Sequence, residues 1–162
     1  MRLLAILQLL VLLAVANGTP VIAKRLLGQY LAWPLDGGLR LWDGRPLFGP
    51  SKTLRGILLA LLATSLAAPL LGLSWPLGLA VGALAMAGDL LSSFLKRRLG
   101  RPASSRAFGL DQIPESLLPL LACRYALGLG WADIVLGTLL FLVGEVLLSR
   151  WLYRLHIRDQ PY

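Results

Sequence analysis

A chain of 162 residues that is 57% hydrophobic, with a mean hydropathy of +0.72, has the length of one domain and is too apolar for a water-soluble fold. Its formal net charge of +8 lies beside long apolar runs, which points to anionic lipid and phosphate ligands and away from nucleic acid. One cysteine, Cys123, excludes an internal disulfide and a zinc cluster; within an apolar run it reads as a buried, inert thiol.

The apolar runs predict an all-α integral membrane protein, a single membrane domain over 1–162 with five transmembrane helices. In chain order these fall at about 3–23, 57–73, 76–95, 114–131 and 134–150. Ser74-Trp75-Pro76 breaks an uncharged stretch into a tight hairpin. Loops at about 24–56 and 96–113 and a tail at 151–162, with Arg150 at its edge, carry all but Arg2 and Arg124 of the 16 Lys+Arg. Five spans with the N-terminus outside place these segments on one side, which the positive-inside rule makes cytoplasmic. The protein is then a multi-pass cell-membrane protein with its polar site, built from the two loops, facing the cytoplasm. Ala14-Val15-Ala16 resembles a signal-peptide cleavage site. Cleavage there would split the cationic loops across the membrane, so the first helix is read as retained. Trp75 and Trp131 mark the outer interface and Trp151 the inner one. Trp33, Trp42 and Phe48 place parts of the first loop in the headgroup layer or under the bundle.

Asn17-Gly18-Thr19-Pro20 stands where the first helix reaches the interface, either as a helix-ending turn or as part of a site. The following loop, 24–56, is long for a connector, and loops of that length are usually functional. Its Leu35-Asp36-Gly37-Gly38 and Asp43-Gly44 turns allow backbone N–H groups to approach a phosphate. Pro50 or Ser51 would begin the second helix, with Lys52 and Arg55 one turn apart at its N-terminus, an anion site or simply cationic anchors. A P-loop is excluded, because two residues separate its last glycine from Lys52 and no strand precedes it.

Gly88 to Gly100, GDLLSSFLKRRLG, holds the densest chemistry. An aspartate within a membrane helix costs about 2.5–3.5 kcal/mol at mid-bilayer, so it faces a cavity or a charge. Asp89, Ser92, Ser93 and Lys96 lie at i, i+3, i+4 and i+7, one helical face that ends in Arg97 and Arg98. Asp111 precedes the fourth span and is placed to meet Asp89 at one interface. Two carboxylates with substrate phosphates are a usual way to hold Mg²⁺. Arg124 and Glu145, within the last two spans, read first as a structural ion pair, and His156 as a solvated tail residue.

These clusters, in this order, resemble the CDP-archaeol synthase family of membrane CTP-transferases, related to phosphatidate cytidylyltransferases. The resemblance rests on Asn17-Gly18-Thr19-Pro20, Leu35-Asp36-Gly37, Asp43-Gly44-Arg45 to Gly49, Ser51-Lys52-Thr53, Gly88-Asp89 with Lys96-Arg97-Arg98, and Leu110-Asp111-Gln112. It implies that CTP and a lipid phosphate give a CDP-lipid and pyrophosphate in phospholipid biosynthesis. Asp89 and Asp111 would be the Mg²⁺ ligands, Lys96 a catalytic cation, and Lys52, Arg55, Arg97 and Arg98 phosphate clamps. Asn17, Asp36, Gly37, Gly38, Asp43, Gly44 and Ser93 would complete the nucleotide site. The chain departs from the family where archaeal members tend to carry a further aspartate after Leu110-Asp111-Gln112: it has Ile113-Pro114-Glu115. A lipid transporter with a cationic vestibule is the alternative from another class; it leaves the two aspartates unexplained. A CDP-alcohol phosphotransferase would need a dense run of aspartates that is missing. The residues leave the lipid's chain type, selectivity against dCTP and the oligomeric state open.

Overall fold

The computed structural model describes residues 1–103, 105 and 107–154, so Arg106, His156 and Arg158 lie outside the described residues. The chain is helical throughout its apolar runs: α1 Leu3–Leu27, α2 Leu54–Leu70, α3 Trp75–Arg98, α4 Gln112–Ala122, α5 Arg124–Leu127 and α6 Trp131–Arg154. By length and composition, α1, α3 and α6 are able to cross a membrane, and α2 is an apolar helix of 17 residues.

Helix boundaries depart from the sequence expectation at three places. First, α1 does not end or unwind at Gly18-Thr19-Pro20 but continues to Leu27. Pro20 has no N–H for the Ala16 carbonyl, and Thr19 Oγ1 donates to the Val15 carbonyl at 2.6 Å, so the helix keeps a satisfied turn beside the proline. Second, α2 starts after Thr53, not at Pro50 or Ser51. The Thr53 side chain accepts from the Gly56 N–H at 3.1 Å and caps the helix, leaving Lys52 in the loop ahead of it. Third, the expected run 114–131 is not one helix. It breaks at Cys123 into α4 and the single turn α5, which stops at left-handed Gly128 (φ 63°).

Exposure follows a helical period with the polarity of a membrane protein. Leu3, Leu7 and Val11 on α1, Leu58, Leu62, Leu66 and Leu70 on α2, and Val135, Leu139, Val143 and Leu147 on α6 are exposed in rows four residues apart. Such apolar rows suit a hydrocarbon solvent. Inside, Leu9, Leu12, Leu13, Ala60, Ala68, Val81, Ala85, Leu120 and Ile134 form the core.

The packing around α3 uses residues with little or no side chain. A Cβ on Gly78 or Gly82 would collide with Thr64 of α2, and one on Gly88 with the Pro114 carbonyl and Glu115 N–H of α4. Close approach at Gly88 sets Asp89 directly beside the start of α4. The other end of α3 closes with a two-bond cap: Gly100 (φ 73°) donates to the Arg97 carbonyl at 3.1 Å and Arg101 to the Lys96 carbonyl at 2.9 Å.

Replacing Gly88 by valine should force α3 and α4 apart and destabilise the protein by about 1–3 kcal/mol, the usual range for overpacking. Thermal unfolding in detergent, followed by tryptophan fluorescence, checks this; an unchanged midpoint would refute the close-packing account.

Candidate functional site

The loop between α1 and α2 is held by its own backbone and by one carboxylate. Leu35 N–H donates to the Lys52 carbonyl at 2.7 Å and Leu54 N–H to the Trp33 carbonyl at 3.1 Å, so the loop leaves and returns at adjacent points. Asp36 fills its centre: Oδ1 accepts from Gly38 N–H at 3.0 Å, and Oδ2 from Phe48 N–H at 2.9 Å and Gly49 N–H at 3.0 Å. Burial opposes the Asp36 charge, but the Gly49, Phe48 and Gly38 donors outweigh it and hold the carboxyl below the usual aspartate range.

A second tie joins this loop to the end of α3. Arg98 pairs with Asp43 at 2.6 Å and donates to the Pro46 carbonyl at 2.6 Å. Arg45 in turn donates to the Arg98 carbonyl at 2.6 Å. Two arginines thus serve as caps for carbonyls that their own segments leave open.

Beneath the loop lies a cavity of about 620 Å³, within the range of ligand sites. Asp89 reaches out of α3 to ion-pair with Lys52, and Lys96 pairs with Asp111 at 2.7 Å. Burial works against the Lys52 charge, yet Asp89 outweighs it and holds the ammonium above the usual lysine range. Asp111 also accepts from the Ala107 N–H at 2.9 Å, and Lys96 donates to the Ser105 carbonyl at 3.1 Å. Asn17 donates to Glu115 Oε2 at 2.7 Å, which brings α1 to the head of α4. Arg55 donates to the Tyr30 carbonyl and, at 3.2 Å, to the Gly28 carbonyl; Arg97 donates to the Pro102 carbonyl at 2.7 Å.

Asn17, Lys52, Arg55, Asp89, Ser93, Lys96, Arg97 and Asp111, all selected from the sequence, therefore line one cavity. Asp36, Gly37, Gly38, Asp43, Gly44 and Arg98 do not. The glycines take positive φ (56°, 81° and 71°) to make turns, and Asp36, Asp43 and Arg98 hold the loop in place. Glu115, left without a role from sequence, is buried in the same cavity beside Asp89, and Gln112 and Glu145 also line it. Its signal was present: an acid one helical turn after Asp111. Arg124 and Glu145 do not form the expected ion pair. Arg124 stacks on Trp131 at 4.1 Å at the start of α6, whereas Glu145 lies fourteen positions along it, about 21 Å at 1.5 Å per residue.

Among the described residues no group of three histidines, cysteines or acids is arranged to hold a metal ion by itself. The cavity instead offers two carboxylates that each pair with a lysine, Asp89 with Lys52 and Asp111 with Lys96, and Glu115 beside Asp89, an arrangement open to exchange with a charged ligand.

The fold and this cavity define a membrane-embedded helical protein with a charged cavity at one end of its bundle. A family profile described as CarS-like CDP-archaeol synthase matches residues 73–162. The chain is 37% identical over 135 residues to a CDP-archaeol synthase of Hyperthermus butylicus, covering 75% of this chain and 77% of that one. The CDP-archaeol synthase of Sulfurisphaera tokodaii is 32% identical over 154 residues, covering 91% and 89%, and that of Pyrobaculum calidifontis 43% over 112 residues, covering 66% of each. A solved structure described as an intramembrane enzyme for archaeal membrane lipids biosynthesis superposes with a TM-score of 0.70 at 30% identity, covering 86% of this chain and 91% of that one. The chain belongs to the CDP-archaeol synthase family.

The loop's dependence on Asp36 has a defined acid limb. Its folded pKa lies below the ordinary value of 3.8, so its contribution to stability is complete above that value and is lost as pH falls through the lowered folded pKa. Asp36→Asn, which cannot accept on both sides, should loosen the loop at neutral pH and remove this part of the acid transition. An acid titration of tryptophan fluorescence, which includes Trp33 and Trp42, reads both effects.

Proposed function

We propose that the protein is a CTP-dependent cytidylyltransferase that converts a membrane lipid phosphate to a CDP-activated lipid and releases pyrophosphate. The observation that carries the reading is the meeting of Lys52, Lys96, Arg97 and Arg55 with Asp89, Asp111 and Glu115 in one cavity at one end of a lipid-facing bundle. A simple cationic vestibule for lipid transport would have no use for the carboxylates.

In this reading a lipid phosphate oxygen attacks the α-phosphorus of CTP, and the bond from that phosphorus to the β-phosphate oxygen breaks. The nucleophile is already an anion, so the site needs no general base. Lys52 and Lys96 exchange their carboxylate partners for phosphate oxygens, and Arg97 adds charge where pyrophosphate departs. Arg55, tethered to two carbonyls, presents its guanidinium in a fixed direction. Asn17 holds Glu115, and Ser93 lies on the same face of α3 as Asp89 and Lys96.

Asp89 and Asp111 are the residues that would hold Mg²⁺. Mg²⁺ is usually bound through one or two carboxylates plus substrate phosphates and waters, so the donors fit an ion that arrives with the triphosphate, not a resident protein cage. The chemistry that ion supplies when bound is neutralisation of the triphosphate and of the departing pyrophosphate.

The cationic ends support the orientation as well. Lys24 and Arg25 close α1, Lys96 to Arg98 close α3, Arg154 closes α6, and Lys52 precedes α2 at the same polar end. With α4 and α5 together as a fourth crossing, the chain makes five passes with its N-terminus outside, and the site faces cytoplasmic CTP.

Purified protein given Mg²⁺, labelled CTP and a panel of lipid phosphates should release pyrophosphate and form a labelled lipid. Lys52→Ala and Lys96→Ala should each lower kcat by about 10²–10³-fold, the scale of removing one charge-stabilising donor. Asp89→Asn should abolish turnover, and chelation of divalent ions should do the same reversibly. Wild-type protein that neither binds CTP nor releases pyrophosphate would refute the assignment; full activity of Asp89→Asn would refute the metal role alone.

A further inference from the structure

Helices α1 and α6 run parallel, since the Arg2 N–H at the start of α1 donates to Asp133 at the start of α6 at 3.0 Å. Near that end they are packed: a Cβ on Gly137 would meet Leu120 at 3.1 Å and Ile6 at 3.6 Å. Toward the polar end they part. A Cβ on Gly18 of α1 or Gly144 of α6 would meet nothing within 4 Å.

The gap is a groove of about 220 Å³ walled by Leu10, Ala14, Val21, Leu140, Phe141 and Leu148. Leu140 and Leu148 are 43% and 40% exposed, so its mouth opens on the lipid-facing side of the bundle. Its inner end is polar. Asn17 and Glu145 line both the groove and the charged cavity, which makes the two spaces continuous.

A phosphate carried on a hydrocarbon chain is the ligand whose two parts match these two compartments. The geometry points to the α1–α6 groove as the seat of the first stretch of one chain of the lipid phosphate, with Gly18 and Gly144 setting its width. This rests on the cytidylyltransferase reading for the identity of the head group. From Leu10 to Val21 the groove follows α1 for about 16 Å at 1.5 Å per residue, so it holds the part of the chain nearest the phosphate. A bulky residue at position 144 would close the groove without entering the charged cavity, whose lining does not include Gly144.

The test uses the whole protein in micelles with a lipid phosphate that carries a photoreactive diazirine in the proximal part of one chain. Mass spectrometry should map the label to residues 10–21 and 140–149. Gly144→Leu should suppress that label and raise KM for the long-chain lipid phosphate about tenfold or more, the scale for losing a hydrophobic subsite. The CTP affinity and the kcat/KM for a water-soluble short-chain lipid phosphate should stay within about twofold, since neither uses the groove. Gly144→Ala, which adds only a methyl group facing open space, should fold as wild type and shift KM in the same direction by less. Label elsewhere, an unchanged KM in Gly144→Leu, or crosslinks between α1 and α6 of two copies would each overturn the proposal. Labelling needs no turnover, so the two readings separate: label in the groove without pyrophosphate release refutes the cytidylyltransferase, and release with label elsewhere refutes the groove.

Discussion

Two lysine–carboxylate pairs, Lys52–Asp89 and Lys96–Asp111, are the constraint on which the polar end depends. A carboxylate on a membrane helix is expensive alone, and a buried ammonium equally so. Paired, they let α3 carry an acid at the end of its apolar stretch, facing the charged cavity. The pairs also set distances. Lys52 ties the first loop to the middle of α3, and Asp111 ties the second loop to its end, so two long connectors converge on one helix. A pair that can be broken only by another charge holds the cavity open for a charged ligand.

That arrangement requires α3 to lie at the centre, and its small residues put it there. Gly78 and Gly82 receive Thr64, whose hydroxyl is satisfied by the Ala60 carbonyl at 2.9 Å. Gly88 receives the backbone of α4. In lipid, where apolar surface gains little from association, such close contact is the main source of helix packing. Ser92 extends the same contact into hydrogen bonding, donating to the Gly88 carbonyl at 2.9 Å or the Leu110 carbonyl at 2.7 Å. Packing and chemistry therefore share one helix, the first on the Gly78–Gly88 stretch and the second from Asp89 onward.

The site was legible from sequence where residues sit on a regular helix. Asp89, Ser93 and Lys96 needed only the helical period to be placed on one face. Asp111 was legible because it directly precedes the next apolar run. The first loop was harder to read. Asp36 and Asp43 look like ligands in a linear chain, yet one satisfies three backbone N–H groups of its own loop and the other meets Arg98, 55 positions away. Arg98 was indistinguishable from Arg97 by composition; the turn of the helix sends one into the cavity and the other to the loop. Glu115 stands in sequence only as an acid one helical turn after Asp111, and its place beside Asp89 follows from the close approach of the Pro114–Glu115 backbone to Gly88. The break at Cys123 lacked a signal of its own: Pro119 stays inside α4 and the helix ends three residues later, at Ala122.

The contact of Ile6, Leu120 and Gly137 has a consequence for permeability. It lies beyond the groove, and fully buried Leu9, Leu12 and Leu13 continue it along α1. A charged cavity inside a membrane protein is half of an ion pathway, and an apolar plug of this kind removes the other half by leaving no room for a chain of water. The cavity continues sideways into the α1–α6 groove through Asn17 and Glu145. Toward the other end of the bundle it is followed, among the described residues, by packed apolar side chains. A lipid can approach from the side without a polar path running the length of the bundle.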